Sequence, residues 1–232
     1  MLTSYTLSDP YLDFTNTEDK KLLKRIVSKQ GVGLSVDELS IIFQKYCPAG
    51  TYTECLQYVP IVFRSMRTNT DESADLWENI LFWILANKKY LVPDKLYEKY
   101  LAQVKSCIDQ FLLCDWDFSR DIMELFTRAH LLVISLNSGI IQDMQGNFIY
   151  DFFEKIKNEQ SKDIIFTLYF YVCVQEKKGR LKHLKSIFRK VFPHEYLVSL
   201  KNVLIERILK NAVLPTAQLD DLIQDSELYL LE

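Results

Sequence analysis

A chain of 232 residues that is 48% hydrophobic, with 14 Phe and 13 Tyr, can bury a sizeable core, which excludes disorder from low hydrophobicity. A formal net charge of -3 excludes a generally basic nucleic-acid binder, so any phosphate contact must come from a local patch. With only 6 Gly and 6 Pro the chain lacks the turns that sandwiches and barrels need, and the expected fold class is all-α.

Residues 1–16 read as an extended N-terminal arm with apolar anchors at Tyr5, Leu7, Tyr11 and Phe14. A first helix is expected from Thr17 to about Ser28, broken by Gly31 and Gly33. Ser35 and Glu38 have capping-box spacing, so a second helix should open there and end at Cys47–Gly50. Pro60 falls inside the periodic run TECLQYVPIVFRSM and predicts a kink or a fresh helix start. The acids Asp71, Glu72 and Asp75 suit the positive end of the next helix, which contains LWENILFWIL. Pro93 is read as the first position of a helix running to about Leu113. Asp117 or Ser119 can cap the next one, DIMELFTRAHLLVISL.

LNSGIIQDMQGNF is the best non-helical stretch, an irregular loop or a small hairpin, after which FIYDFFEKIKN resumes helix. SKDIIFTLYFYVCVQEKKG reads as a buried helix. Helices then follow from Leu181 to Phe192, from Pro193 and from Pro215. The sum is about ten helices in a single domain, 17–232, packed as a bundle or a degenerate helical repeat; no residue signature recurs at a fixed period. Three stretches, 76–85, 130–136 and 164–174, are apolar around most of a helix and need cover on more than one side, from the fold or from a bound partner.

The five cysteines, Cys47, Cys55, Cys107, Cys114 and Cys173, are odd in number and lack a CxxC. They read as free thiols in a reducing compartment, with Cys107 and Cys114 on one helical face. The N-terminus shows neither a basic nor an apolar leader region. The longest apolar run, Ile164–Val174, is short of the ~20 residues a membrane span requires. These features lead to the expectation of a cytoplasmic or nuclear chain without a membrane span.

Catalytic motifs for hydrolases, metalloproteases, nucleotide-binding loops and di-iron bundles are missing, so neither catalytic residues, metal ligands nor cofactors are assigned. Asp121 and Glu124 share a helical face without a histidine at ligand spacing. His130 reads as a helix residue with a satisfied ring nitrogen, and Asp115 and Asp117 as turn residues.

One stretch stands apart. EKKGRLKHLKSIFRKVF, Glu176 to Phe192, holds seven Lys or Arg in seventeen residues. On a helix, Leu181, Leu184, Ile187, Phe188, Val191 and Phe192 occupy an arc of roughly 140°, with Lys182, Lys185 and Arg189 clustered on the opposite side. Lys177, Lys178, Arg180, Lys182, Lys185, Arg189 and Lys190 are the candidate contacts for a partner or a phosphate. Three readings compete. The basic arc is a solvated face, offset by the acidic segment TAQLDDLIQDSELYLLE; it meets an acidic protein or a nucleic-acid backbone; or it meets a membrane surface or a calmodulin-like groove.

The function expected from this pattern is a non-enzymatic protein–protein interaction module, a scaffold or complex subunit. Its partners would be other proteins, in a hetero-complex or a homodimer, docked as a peptide or helix in a hydrophobic inter-helix groove. The alternative is a nucleic-acid-associated protein using the basic helix 177–190, and an enzyme of unknown class comes third.

Overall fold

The computed structural model describes residues 17–46, 52–68, 74–112, 122–144, 148–159, 168, 182–196 and 198–199. Among them every regular element is helical and none is a strand, as the scarcity of Gly and Pro implied. The N-terminal arm 1–16, the CPAG stop, the turn at 113–121 and the segments from 201 onward lie outside the described residues, as does 161–174 apart from Leu168. The chain divides into two compact units, Met1–Leu113 and Cys114–Glu232.

In the first unit α1, Thr17–Ser28, ends in a turn where Gln30, Gly31 and Gly33 all take positive φ. Ser35 then caps α2, Val36–Ile41, with the full capping box: its Oγ accepts from Glu38 N–H at 3.2 Å, and the Glu38 carboxylate accepts from Ser35 N–H at 2.9 Å. A π turn, Ile42–Tyr46, continues α2. Helix α3, Tyr52–Leu56, stops short of Pro60, and α4, Val59–Thr68, starts afresh with Pro60 in its first turn, where no backbone donor is needed.

Helix α5, Ala74–Ala86, is the hub of this unit. It packs against α2 and the π turn, against α4, and against the one-turn α6, Lys88–Leu91. Leu76, Trp77, Ile80, Leu81, Trp83 and Ile84 are all buried, which at about 1.5–3 kcal/mol each makes α5 a large contributor to burial here, beside α7. The Trp77 ring meets Phe63 of α4 and Phe111 of α7, Tyr97–Leu112, edge-on at 6.2 and 5.5 Å.

Pro93 does not open α7. The helical run from Lys88 closes instead with Lys95 at φ 57, Leu96 N–H donating to Leu91 C=O and Lys95 N–H to Val92 C=O. That 6→1 and 5→2 pair is a Schellman stop. Pro93 therefore lies in the last turn of one helix rather than the first of the next, and α7 begins at Tyr97.

In the second unit α8, Ile122–Asn137, is covered on most sides over 130–136: Leu131, Leu132, Val133, Ser135 and Leu136 are buried, His130 and Ile134 half-buried. The stretch after it is a single 3-10 turn, Gly139–Asp143, rather than one arm of a hairpin, and α9, Phe148–Glu159, follows. Backbone N–H groups of Ile141 and Met144 close that turn locally, onto Ser138 and Ile141 carbonyls. Helix α10, Lys182–Val191, packs on α9.

The cysteines are not all free thiols, contrary to what their odd number implied. Cys107 is free and buried in α7, and burial pushes its thiol up to about 11. Cys55, however, is disulfide-bonded, and since Cys107 is the only other described cysteine, its partner lies outside the described residues. An odd count forbids pairing of all five thiols but not of two, so parity was the wrong criterion, and a reducing compartment no longer follows from it.

Candidate functional site

Two surfaces answer to the sequence expectations, one in each unit. On α10 the apolar arc is anchored as expected: Leu184, Ile187, Phe188, Val191 and Phe192 are all buried. Phe188 meets Phe153 of α9 edge-on at 4.8 Å and packs tilted against Phe192 at 4.7 Å, while Tyr196 stacks on Phe192 at 6.0 Å. This aromatic wedge fixes the rotation of α10 about its axis, and the wedge therefore decides which cations face outward.

Three of the seven candidate cations have described side chains. Arg189 and Lys190 are exposed, and Lys185 is half-buried and already engaged. Lys182 belongs to α10 without a described side chain; Lys177, Lys178 and Arg180 lie outside the described residues. Arg189 and Lys190 occupy the last turn, where cations offset the negative end of the helix dipole whether or not a ligand is present.

The second surface is on α5. With six large side chains buried, this helix leaves one outward, Phe82, at 71% exposure. A Phe and a Trp are adjacent in LFWIL, and periodicity alone does not say which is inside. Trp83 is inside because Tyr52 stacks on it at 5.9 Å and Phe43 meets it edge-on at 6.0 Å. Tyr52 also packs on Tyr90 at 5.4 Å and donates its hydroxyl to Asp94 Oδ2 at 3.2 Å. Burial together with Asp94 pushes the Tyr52 phenol up to about 12, so the hydroxyl stays a donor across the physiological range.

Among the described residues the other large apolar side chains left exposed are Val32, Tyr90 and Val92, with Lys88, Lys89 and Lys95 exposed beside the last two. Lys89 Nζ lies 4.7 Å over the Tyr90 ring and Lys88 Nζ 5.1 Å over the Tyr97 ring. Among the described residues, no three His, Cys, Asp or Glu side chains gather at metal-binding distance, and no helix is long and apolar enough to cross a membrane. No protein-family model matches the chain, and neither a curated protein nor a solved structure is detectably similar to it.

Proposed function

We propose that the chain is a non-enzymatic protein–protein interaction module, a subunit or scaffold of an intracellular assembly, with a partner peptide or helix docking on the apolar surface of α5. The observation behind this reading is Phe82. The protein itself buries six large apolar side chains of α5 and half-buries Leu85, and this one ring is left in water at 71% exposure. A partner helix laid along α5 supplies the missing cover, in the helix-against-groove mode that reads anchors at i, i+4 and i+7. Burying a Phe at an interface is worth about 1.5–3 kcal/mol, enough for one anchor among several.

A photo-reactive benzoylphenylalanine in place of Phe82 tests this in living cells. Discrete adducts at position 82, missing when the same group replaces the exposed Ala102 of α7, support the reading. The absence of any adduct at position 82 overturns it. In the same cells, a tagged chain found in cytoplasm or nucleus supports the intracellular placement, and its secretion overturns it.

A second reading, contact with nucleic-acid phosphates through the basic helix, draws on the outward Arg189 and Lys190. Two exposed cations that also serve the helix dipole are thinner support than a stranded aromatic ring. Reversal to Glu at both positions should abolish polynucleotide binding if that reading holds.

A further inference from the structure

We infer that the exposed ridge of α5 is self-complementary and that its partner is a second copy of this chain, lying antiparallel about a two-fold axis through Phe82. This rests on the interaction-module reading above and names the partner it leaves open.

Residues three, four and seven apart on a helix project from one side. Asp75, Glu78, Phe82 and Ala86 follow that spacing and all four are exposed. The ridge continues across the turn at Asn87, where φ is -100 and ψ 10. Asn87 N–H still donates to Trp83 C=O, and Leu91 N–H to Asn87 C=O. The α-helix is interrupted at Asn87, yet Trp83 and Tyr90, seven residues apart, both pack on the Tyr52 ring, and Ile84 and Leu91, also seven apart, are both fully buried, the repeat that a helix in register across the turn gives. Phe82 and Lys89 stand one residue before each of these and are also seven apart. Lys89, exposed, therefore extends the Phe82 ridge by two turns.

Phe82 is the midpoint of this ridge. Asp75 lies seven residues before it and Lys89 seven after; Glu78 lies four before and Ala86 four after. A two-fold axis through Phe82 sets ring against ring, Asp75 of each copy opposite Lys89 of the other, and the Glu78 stem against the small Ala86. Such an isologous contact needs a surface that complements itself, and an aromatic centre with acid at one end and base at the other does so. Among the described residues no ion pair engages Asp75, Glu78 or Lys89; Lys89 Nζ lies over the neighbouring Tyr90 ring, a contact that leaves its charge uncompensated by any acid and available to Asp75 of a second chain. The helix dipole accounts for Asp75 in the first turn, but not for Glu78 a turn later or for Phe82. A lone exposed Phe is ordinary on a protein surface; one centred between opposite charges on its own ridge is a pattern.

Size sets the strength. From Asp75 to Lys89 there are fourteen residue steps, which at ~1.5 Å rise each span about 21 Å. One such ridge buries less than the ~800 Å² per partner of a standard stable interface, so a micromolar dimer is expected.

Sedimentation velocity on the full chain over roughly 1 to 300 µM tests the proposal, since those concentrations bracket a micromolar dissociation constant. Wild type should shift from monomer to dimer, and Phe82→Ala should remain monomeric. Asp75→Lys and Lys89→Glu should each weaken self-association tenfold or more, because each sets like charges opposite one another. Mixed together they should associate again. The lysine introduced in one variant then faces the glutamate introduced in the other, and the two unaltered residues, Lys89 and Asp75, face each other at the opposite end. Recovery on mixing also shows that both variants are folded. A mixture that stays monomeric overturns the antiparallel register. A monomeric wild type that still gives adducts at position 82 with another protein overturns the second copy and leaves the interaction reading standing. A monomeric wild type without adducts overturns both.

Discussion

Glu38 joins three pieces of chain through one carboxylate. It closes the capping box with Ser35, accepts from Lys29 Nζ at 2.7 Å and from Arg25 Nε at 3.2 Å, and is buried while doing so. Burial alone raises its pKa, but the Lys29 and Ser35 hydrogen bonds and the charges of Lys29 and Arg25 outweigh burial and hold it below the ordinary carboxylate value of 4.5. A carboxyl whose folded pKa is depressed stabilises the fold above its unfolded pKa, and that stability is lost as pH falls through the folded value. Glu38→Gln should therefore flatten the acid limb of the stability-versus-pH curve below about pH 4.5. Glu38→Ala should cost about 2–3 kcal/mol near neutrality, read by urea titration. The box itself was legible because Ser35 and Glu38 interact at fixed local spacing. Arg25 and Lys29 were not, because they reach Glu38 only after Gly31 and Gly33 turn the chain back, with Lys29 Nζ also donating to Gly33 C=O at 3.1 Å.

At the scale of the element, the sequence marks helices better than it marks their ends. Pro60 and Pro93 have similar local surroundings, yet one falls in a first turn and the other in a last turn. The difference lies at Lys95, whose left-handed φ of 57 stops the run, and nothing in a lysine advertises that conformation. Left-handed backbone costs a residue with a Cβ roughly 1–2 kcal/mol, and glycine avoids that strain at some cost in unfolded-state entropy. Lys95→Gly should therefore stabilise the protein by about 0.5–1 kcal/mol, while a β-branched residue there should destabilise it. Thermal unfolding reads both, and equal melting temperatures for Lys95, Gly and Val at this position would contradict the Schellman assignment. The same limit explains the two surfaces. The α10 stripe was legible because polar and apolar residues alternate at helical spacing. The Phe82 ridge was not, because LFWIL is apolar throughout and only the packing of Tyr52 and Phe43 on Trp83 turns Phe82 outward.

At the scale of the whole molecule, the sequence reading expects one domain over 17–232, and the contacts fall into two compact units, each with its own aromatic centre. Trp77 is the centre of the first, fully buried between Phe63 and Phe111; Phe188 is a centre of the second, fully buried between Phe153 and Phe192. Truncating either to Ala removes a large buried ring and leaves a cavity, at a cost of about 3–5 kcal/mol. Where that cost appears tells whether the units unfold together. A cooperative body shares a destabilisation over all its slow amides, whereas separate units confine it. With two units, Trp77→Ala should speed amide exchange in α4, α5 and α7 and leave α9 and α10 as in wild type. Phe188→Ala should do the reverse. If Trp77→Ala speeds α9 and α10 to the same degree, the chain unfolds as a single body and its two aromatic centres serve one core.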